Sequence, residues 1–326
     1  MSAISNALIS EAPAQMRLFD PRRDLDAVAD LVEICFSDTL DPDGRDYLMR
    51  MRSAARNPAW LGWSAATEWS GAAMTGYVWI QDGRLVGNAS LMPYFVSGRR
   101  FFMVANVAVH PDDRRQGIAR KLTQEAITHA RQKGAPAAWL QVREENTSAL
   151  TLYQSLGFQE RARRTTWLAE PGDASATPQA KITIAPPKVR HWDVQRAWLM
   201  RSYPENLAWH MTFRLYLLRP GLLGWLTRLL YDVDLQQWTA QRNERLLAVL
   251  SWQRAWGYSD LLWLAAPLVG DPEVVQNLLL HARRHLAQHR ALLLEYPARQ
   301  YADAFLASGF TAQQTLVWMN IEFPHR

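Results

Sequence analysis

The chain has 326 residues, of which 48% are hydrophobic and 21% charged, a balance that is typical of a folded globular protein and excludes a disordered one. Its length exceeds what one small core requires and predicts two domains of ordinary size. The formal net charge of +5 is spread thinly along the chain, so we expect no nucleic-acid partner.

The single cysteine and the N-terminal sequence narrow the class of protein further. With Cys35 alone, the chain can form neither an internal disulfide nor a cysteine-ligated metal cluster, and we expect no metal. Cys35 lies in an apolar helical stretch, which favours a small buried side chain over a nucleophile. The first 15 residues lack the basic start and apolar run of a signal peptide, so we expect a cytoplasmic protein.

The first half of the chain alternates strand patterns and helix patterns. Apolar residues recur at helical spacing along residues 24–36, and glycine-containing turns at 82–83 and 97–98 join three strands. Gly134 and Gly157 end two later helices. The predicted strands are 16–20, 77–81, 85–95, 99–110, 137–142 and 165–168, and the predicted helices are 24–36, 45–55, 118–133 and 147–155.

A proline-rich segment separates the two halves. Residues 170–188 contain four prolines among small residues, which predicts a linker at 171–180 between a domain at 1–170 and a domain at 181–326. The second half then repeats the order of elements of the first. The predicted strands are 181–184, 235–241, 246–254, 260–266, 291–296 and 315–322, and the predicted helices are 193–201, 272–288 and 298–307.

One apolar stretch, residues 213–231, raises the question of a membrane. It carries Arg214, Arg219 and Arg228, and a Pro-Gly pair interrupts it, so a membrane-spanning helix is excluded. We interpret it as amphipathic helices that pack on the second domain or on a partner. No membrane partner is expected from the sequence.

The strongest chemical signal is the segment Val-Ala-Val-His-Pro-Asp-Asp-Arg-Arg-Gln-Gly-Ile-Ala at residues 107–119. A buried strand ends at His110, and a polar turn leads into a helix that begins near Gly117. Glycine lets the backbone come close to a ligand, and the free N–H groups of a first helical turn attract anions. Arginines at 114, 115 and 120 add full positive charges. The segment therefore predicts a binding site for a pyrophosphate.

The pattern Arg-x-x-Gly-x-Ala after a Val-x-Val strand resembles the acyl-CoA loop of the GNAT N-acetyltransferase family. A second signature, Asn146-x-x-Ala149-x-x-x-Tyr153-x-x-x-Gly157-Phe158, is similar to another motif of that family. The resemblance is good over residues 16–167 and extends to 181–323 by the order of elements. It implies an α/β (α+β) protein with two tandem GNAT-like domains. Each would be a mixed, mostly antiparallel twisted sheet flanked by helices.

The resemblance also implies a reaction, in which acetyl passes directly from acetyl-CoA to an amine of a small molecule or peptide. Strand backbone would pair with the pantetheine arm, and the loop amides would hold the pyrophosphate. Tyr153 would protonate the leaving thiolate, and Asn146 would cap its helix and contact cofactor or an ordered water. The cofactor-binding residues expected in this way are Val107, Ala108, Val109, Arg114, Arg115, Gln116, Gly117, Ile118, Ala119, Arg120 and Asn146.

The identity of a general base stays open at this point. Some family members use a glutamate on the strand before the loop, but residues 101–109 contain no carboxylate. Asn106 is expected to orient a water instead, and His110, Glu144 and Glu145 are weaker candidates. The acidic loop with Asp38, Asp41, Asp43 and Asp46 either attracts a cationic amine or, more simply, supplies turn and capping aspartates.

The second half lacks both family motifs. Its corresponding helix begins at Pro272, directly after Asp271 at the N-cap position, where a carboxylate would satisfy the amides that phosphate requires. Phe305 stands where the first half has Tyr153 and has no proton to give. The sequence therefore predicts a degenerate copy with a structural or substrate-shaping role.

Two alternatives to an amine acetyltransferase remain from the sequence. A non-catalytic acyl-CoA-binding regulatory module would also keep the loop motif. A mycothiol-synthase-like enzyme would also have tandem domains, although the working domain in that family is the C-terminal one. A homodimer is compatible with either reading.

Overall fold

The computed structural model describes residues 14–39, 42–56, 75–172, 182–208, 213–255, 257–286 and 290–324. These residues form two compact units that are interleaved along the chain. The first unit contains the described residues up to Gln141, then Thr151–Gln159 and those from Asn320 onward. The second unit contains Val142–Leu150 and Glu160–Met319.

The sheet of the first unit has five strands in the order β1-β2-β3-β4-β5. They are β1 (Gln15–Leu18), β2 (Thr75–Gln81), β3 (Arg84–Val96), β4 (Arg99–Val109) and β5 (Ala137–Arg143). The pairs from β1 to β4 are antiparallel, whereas β4 and β5 run parallel. A parallel pair requires a crossover, which the helix between these strands supplies.

In the described residues, four helices accompany these strands. They are α1 (Pro21–Phe36), α2 (Pro42–Arg56), α3 (Ile118–Gln132) and α4 (Thr147–Ser155). Asp20 caps α1 by accepting from the Arg22 amide at 3.0 Å. Buried Val28 and Val32 of α1 pack in one apolar cluster, and buried Leu122 of α3 packs in another. Both clusters take side chains from the sheet, so the helices bury their apolar stripes against it.

The second unit repeats this plan with more strands, in the order β12-β6-β11-β10-β9-β8-β7. They are β6 (Gln159–Ala169), β7 (Thr183–Ala185), β8 (Leu235–Arg242), β9 (Arg245–Gln253), β10 (Ser259–Ala265), β11 (Ala291–Pro297) and β12 (Thr311–Glu322). Strand β11 is parallel to β10 and antiparallel to β6. The β9–β10, β8–β9 and β7–β8 pairs are antiparallel.

The helices of the second unit are α5 (Trp192–Ser202), α6 (Glu205–Ala208), α7 (Leu222–Leu230), α8 (Pro272–His285) and α9 (Ala302–Ala307). Helix α8 is the crossover between the parallel strands β10 and β11. One large core fills this unit, and its fully buried side chains include Trp252, Tyr296, Phe305 and Phe310. In the part of the chain that the structure describes, no helix is both long enough and apolar enough to cross a membrane.

The predicted order of elements and the fold class are confirmed. The predicted helix at 298–307 is wrong at its start, because Arg299 and Tyr301 have positive φ angles of 68° and 57° and form a turn before α9. The predicted linker falls mostly on residues outside the described part, as does Lys181 of the predicted first strand of the second half. The boundaries at 170 and 181 stay a prediction, because the compact units are interleaved.

A buried arginine holds β6 to β11 within the second unit. Arg164 is only 3% exposed and pairs with the carboxylate of Glu295. Its guanidinium also donates to the Ser202 carbonyl at 2.7 Å and lies 5.2 Å from the centroid of the Tyr203 ring. Removal of a buried cation with this many partners deprives each of them of its contact with the charge.

We therefore expect Arg164→Ala to lower the free energy of unfolding by about 3–5 kcal/mol, because the Glu295 carboxylate would lose its buried cation and the Ser202 carbonyl would lose a donor. The neighbouring Arg163 is the control, since its ion pairs with Glu160 and Glu144 lie at the surface. Arg163→Ala should cost about 1 kcal/mol or less. Urea unfolding of both variants measures the difference, and equal losses would contradict this account of Arg164.

Candidate functional site

The loop between β4 and α3 is fastened by its own side chains. A short 3-10 turn, Pro111–Asp113, begins directly after the strand, and Nδ1 of His110 accepts from the Asp112 amide at 3.4 Å. The carboxylate of Asp113 is buried, and its Oδ1 accepts from the Gln81 side-chain amide at 3.2 Å. These contacts fix the loop backbone ahead of the helix.

Helix α3 begins with a bare N-terminus. Gly117 is its N-cap residue with a φ of +80°, and a Cβ at this position would meet no atom within 4 Å. In the described chain no side chain caps this helix, and its first turn contains no acidic residue. Arg114, Arg115, Gln116 and Arg120 around it are exposed. Open space lined by amide N–H groups and cations is the environment that binds phosphate.

Two of these arginines are oriented by hydrogen bonds. Nε of Arg114 donates to the Val109 carbonyl at 3.2 Å, at the end of β4. Arg120 donates to the Ser155 hydroxyl at 2.8 Å, at the end of α4. Both guanidinium groups are therefore held beside the opening that Gly117 leaves.

Strands β4 and β5 pair over a short distance only. Their parallel ladder joins Phe102–Val104 to Ala138–Leu140. Beyond it, the ladder of β4 within the described residues is with β3. Ala108 is buried in this part of β4, and Val107 and Val109 are half-buried. The strand edge on the β5 side is thus available to an extended ligand, which pairs with backbone as another strand would.

A β-bulge marks the point where β4 departs from β5. Asn106 and Val107 stand opposite the single residue Ala89 of β3, and Asn106 has a φ of +50°. Its Nδ2 donates to the hydroxyl of Tyr47 on α2 at 3.1 Å. Its carbonyl accepts from Nδ2 of Asn88 at 2.8 Å. Asn106 therefore has both its backbone and its side chain fixed.

Asn88 and Tyr47 are site residues that the sequence analysis did not identify. Asn88 is fully buried, and its Oδ1 has no hydrogen-bond partner among the residues that the structure describes. A buried amide oxygen without a partner is costly, and a ligand or water would satisfy it. The sequence signal that could have identified Asn88 is its position as a polar residue inside an apolar strand. Burial raises the pKa of Tyr47, which keeps its hydroxyl protonated.

Tyr153 lies on α4 with its side chain almost wholly buried. The ring is 7% exposed and packs edge-on against Phe158, with ring centroids 6.0 Å apart. Burial disfavours the phenolate and raises the pKa of Tyr153 to about 12. The hydroxyl is therefore protonated throughout the physiological range, which is the form that a general acid must have.

The expected cap on α4 is present. Oδ1 of Asn146 accepts from the Ala149 amide at 3.1 Å and from the Ser148 hydroxyl at 3.0 Å. Asn146 directly precedes α4 and belongs to the second unit, whereas Tyr153 belongs to the first. Its expected contact with cofactor stays a prediction.

The three weaker candidates for a general base are already engaged. Nδ1 of His110 accepts from a backbone amide in the loop. Glu144 forms an ion pair with Arg163, and Glu145 lies 3.5 Å from Arg143.

The acidic loop shows local contacts where it is described. Asp38 accepts from the hydroxyl of the preceding serine at 3.3 Å, and Asp46 pairs with Arg50 one turn later at 2.8 Å. Asp41 and the side chain of Asp43 lie outside the described part. The described contacts favour the interpretation as turn and surface residues.

Comparison with known proteins identifies the family that this loop belongs to. Residues 30–158 match the model of the Acetyltransferase (GNAT) family. This part of the chain is a GNAT domain. It is 46% identical over 55 residues to the [ribosomal protein bS18]-alanine N-acetyltransferase of Escherichia coli strain K12. It is also 44% identical over 52 residues to the mycothiol acetyltransferase of Thermobispora bispora.

These matches span only part of each relative. The first covers 17% of this chain and 37% of the Escherichia coli enzyme. The second covers 16% of this chain and 18% of the Thermobispora bispora enzyme. A match of this extent supports a shared domain and leaves the activity of the whole protein to be proposed.

Solved structures extend the fold assignment to the whole chain. A tandem GNAT protein from the clavulanic acid biosynthesis pathway aligns with a TM-score of 0.51 and 14% identity, covering 96% of this chain and 100% of its own. A GCN5-related N-acetyltransferase from Sphaerobacter thermophilus aligns with a TM-score of 0.58 and 16% identity, covering 95% of both chains. At these identities the likeness shows the fold, and the fold is that of a tandem GNAT protein.

In the second GNAT-like unit, the helix that corresponds to α3 is closed at its N-terminus. Asp271 is the N-cap of α8, and its side chain accepts from the Glu273 amide at 3.0 Å. Pro272 occupies the first position, and Glu273 adds a second negative charge to the first turn. A capped, acidic helix start repels the phosphate that the corresponding turn of α3 attracts.

The gap between the parallel strands of the second unit is filled by aromatic side chains. The ladder of β10 and β11 ends at Leu262 and Leu294, one residue longer than its counterpart in the first unit. Past it, the Leu264 amide donates to the hydroxyl of Tyr203 at 3.1 Å. The Tyr203 ring lies in the core, 6.2 Å from the ring of Tyr296. A side chain of the protein thus takes the backbone N–H that an extended ligand would need.

We expect Tyr203→Phe to destabilise the protein by about 1–3 kcal/mol, because the buried Leu264 N–H would lose its acceptor. Tyr258→Phe is the matched control, since Tyr258 is half exposed and its hydroxyl donates to Glu170 at the surface. Urea unfolding should show almost no change for the control. If both variants unfold at the same urea concentration as the native chain, the hydroxyl of Tyr203 does not have this role.

Proposed function

We propose that the first unit transfers an acetyl group from acetyl-CoA to an amine of a peptide or small molecule. The observation that carries this proposal is the bare N-terminus of α3, opened by Gly117, beside a strand edge that β5 leaves unpaired. The match of residues 30–158 to the GNAT family supports it, because that family generally uses acetyl-CoA as the acetyl donor.

The residues present fit this donor. Pyrophosphate oxygens are suited to the amides of residues 115–120, with Arg114, Arg115 and Arg120 supplying charge. An extended arm is suited to the backbone of residues 107–109, as one further strand. Acetyl-CoA supplies an activated acyl group when it is bound.

Tyr153 is proposed to be the general acid. The sulfur that leaves when the acyl group moves to nitrogen needs a proton, and the Tyr153 hydroxyl holds one because burial keeps its pKa at about 12. The ring is fixed by packing against Phe158. A group that is both protonated and immobile costs little to orient at the moment of transfer.

The amine must lose a proton, and Asn106 is proposed to orient the water that removes it. No carboxylate lies on β4, so a direct side-chain base on that strand is excluded by the sequence. Asn106 sits at the bulge with its side chain fixed by Tyr47. The buried Oδ1 of Asn88 next to it offers a further acceptor for that water or for the amine itself.

The alternatives are less well supported. A mycothiol-synthase-like enzyme would use the second unit, where Asp271 caps α8 and Phe305 replaces a proton donor. A non-catalytic acyl-CoA-binding module would have no use for a buried, protonated tyrosine at position 153. The names of the two relatives specify different acceptors, so the proposal goes no further than an amine.

Acetyl-CoA binding is expected at one site, and Gly117→Glu should abolish it, because the carboxylate would occupy the phosphate space. Gly134→Glu is the matched control. It places the same residue at a similar φ, +71°, at the opposite end of α3, also in open space. Calorimetry should find native affinity for the control and none for Gly117→Glu. Two sites, or equal binding by both variants, would contradict this assignment.

Tyr153→Phe should reduce kcat by about 10²–10⁴-fold while acetyl-CoA affinity stays the same, because only proton transfer is lost. Activity is measured on a panel of amines and peptides by release of free CoA. A raised pKa means that the acid form persists until pH approaches 12, so Tyr153 should cause no loss of kcat between pH 7 and 10. Absence of turnover by the native chain on every acceptor would favour the non-catalytic alternative.

A further inference from the structure

Helix α7 turns its apolar side away from the protein. Leu222 and Leu230 at its two ends are 72% and 81% exposed. The side chains between them on the same side are exposed as well. We call this set the α7 face, and its members are Leu222, Trp225, Leu226, Leu229 and Leu230.

The opposite side of α7 is anchored to the segment that directly precedes it in the chain. Gly224 is buried, and a Cβ there would lie 1.8 Å from the Arg219 carbonyl oxygen. The Arg228 guanidinium donates to the carbonyls of Leu217 and Arg219, at 2.9 and 3.2 Å. Because its small and polar side is anchored, the helix cannot roll over to bury its leucines.

This orientation is the reverse of an ordinary surface helix, which buries its apolar stripe and exposes its polar side. The sequence left two partners for this segment, the second domain or another molecule. Because the α7 face is exposed, these five side chains do not pack on the second domain. A contiguous apolar patch of this kind marks a contact surface.

We infer that the α7 face pairs with the α7 face of a second copy of this chain, around a two-fold axis. Residues 222, 225, 226 and 229 have the three- and four-residue spacing of a helix–helix seam. A two-fold interface uses the same patch from both copies, so one apolar stripe is enough.

The charges at the two ends of α7 favour an antiparallel pair. Exposed Arg219 precedes the helix and exposed Asp232 follows it. In an antiparallel pair centred between Trp225 and Leu226, residues at equal distances on either side of the centre face each other. Arg219 of each copy then lies beside Asp232 of the other, and opposite charges meet twice.

The same charges argue against a lipid surface. Anionic lipids attract clusters of Lys and Arg beside an apolar helix. Here exposed Arg214 and Arg219 are matched by exposed Asp232 and Asp234, and Arg228 is turned to the carbonyls of Leu217 and Arg219, so the α7 face has no border of clustered positive charge. A second copy of the chain can pair with both the arginines and the aspartates, whereas an anionic membrane can pair only with the arginines.

The test is the oligomeric state of the full-length chain, measured by sedimentation velocity over a range of concentrations. The native chain should be a dimer, and Leu226→Glu should raise the dimer dissociation constant at least tenfold, because the charge enters the interface twice. Leu306→Glu is the matched control, since Leu306 is also exposed, at 56%, on helix α9 of the same unit. It should leave the dimer unchanged, and circular dichroism checks that both variants are folded.

A charge exchange tests the antiparallel arrangement. Arg219→Asp alone should weaken the dimer, and combining it with Asp232→Arg should restore it. A native chain that is monomeric at every concentration overturns the inference, as does a dimer that Leu226→Glu leaves intact. Binding of a monomer to phosphatidylglycerol vesicles that Leu226→Glu abolishes would also overturn it, in favour of a lipid contact. None of these outcomes depends on acetyl transfer.

Discussion

The backbone amides of a helix N-terminus must find acceptors, and how they do so separates the two halves of this chain. In α3 the N-cap position is Gly117, which offers no side chain, and the nearby arginines add charge of the sign that phosphate needs. In α8 the position is Asp271, whose carboxylate accepts from the first turn. One side chain therefore decides whether the amides are satisfied by the protein itself or left for a ligand.

The backbone of the strand before each of these helices also needs partners, which come either from the protein itself or from a ligand. Both units have a parallel pair that stays in register for three or four residues and then separates. Separation leaves backbone groups of the central strand without a neighbour, and buried groups of this kind need partners. In the second unit Tyr203 supplies one of those partners from within its core. In the first unit a bulge at Asn106 accompanies the gap, and Oδ1 of Asn88 has no hydrogen-bond partner in the described part of the chain, which suits the ligand site proposed above.

Much of this was predictable from sequence, because the decisive features are local. A glycine that follows two arginines indicates an uncapped helix N-terminus, whereas Asp-Pro at the same place indicates a capped one. The order of elements along the second half also followed from the repeated pattern. The contacts of Tyr203 and of Tyr47 were not predictable, because each joins residues about 60 positions apart in the chain. No periodicity in one segment specifies which distant side chain will fill a gap.

The interleaving of the units could not be predicted from the sequence, and it bears on what the second half of the chain contributes to the first unit. Strand β6 follows the GNAT motifs directly, yet its ladder is with β11 of the second unit. In the first unit, the Phe323 amide donates to the Pro136 carbonyl at 2.8 Å, and Arg131 lies over the Phe323 ring. A chain cut after the predicted first domain would leave β6 with an open edge and would remove Phe323. Each half of the chain thus supplies part of the other half's unit. Loss of the degenerate copy would therefore remove a part of the first unit as well as shorten the chain.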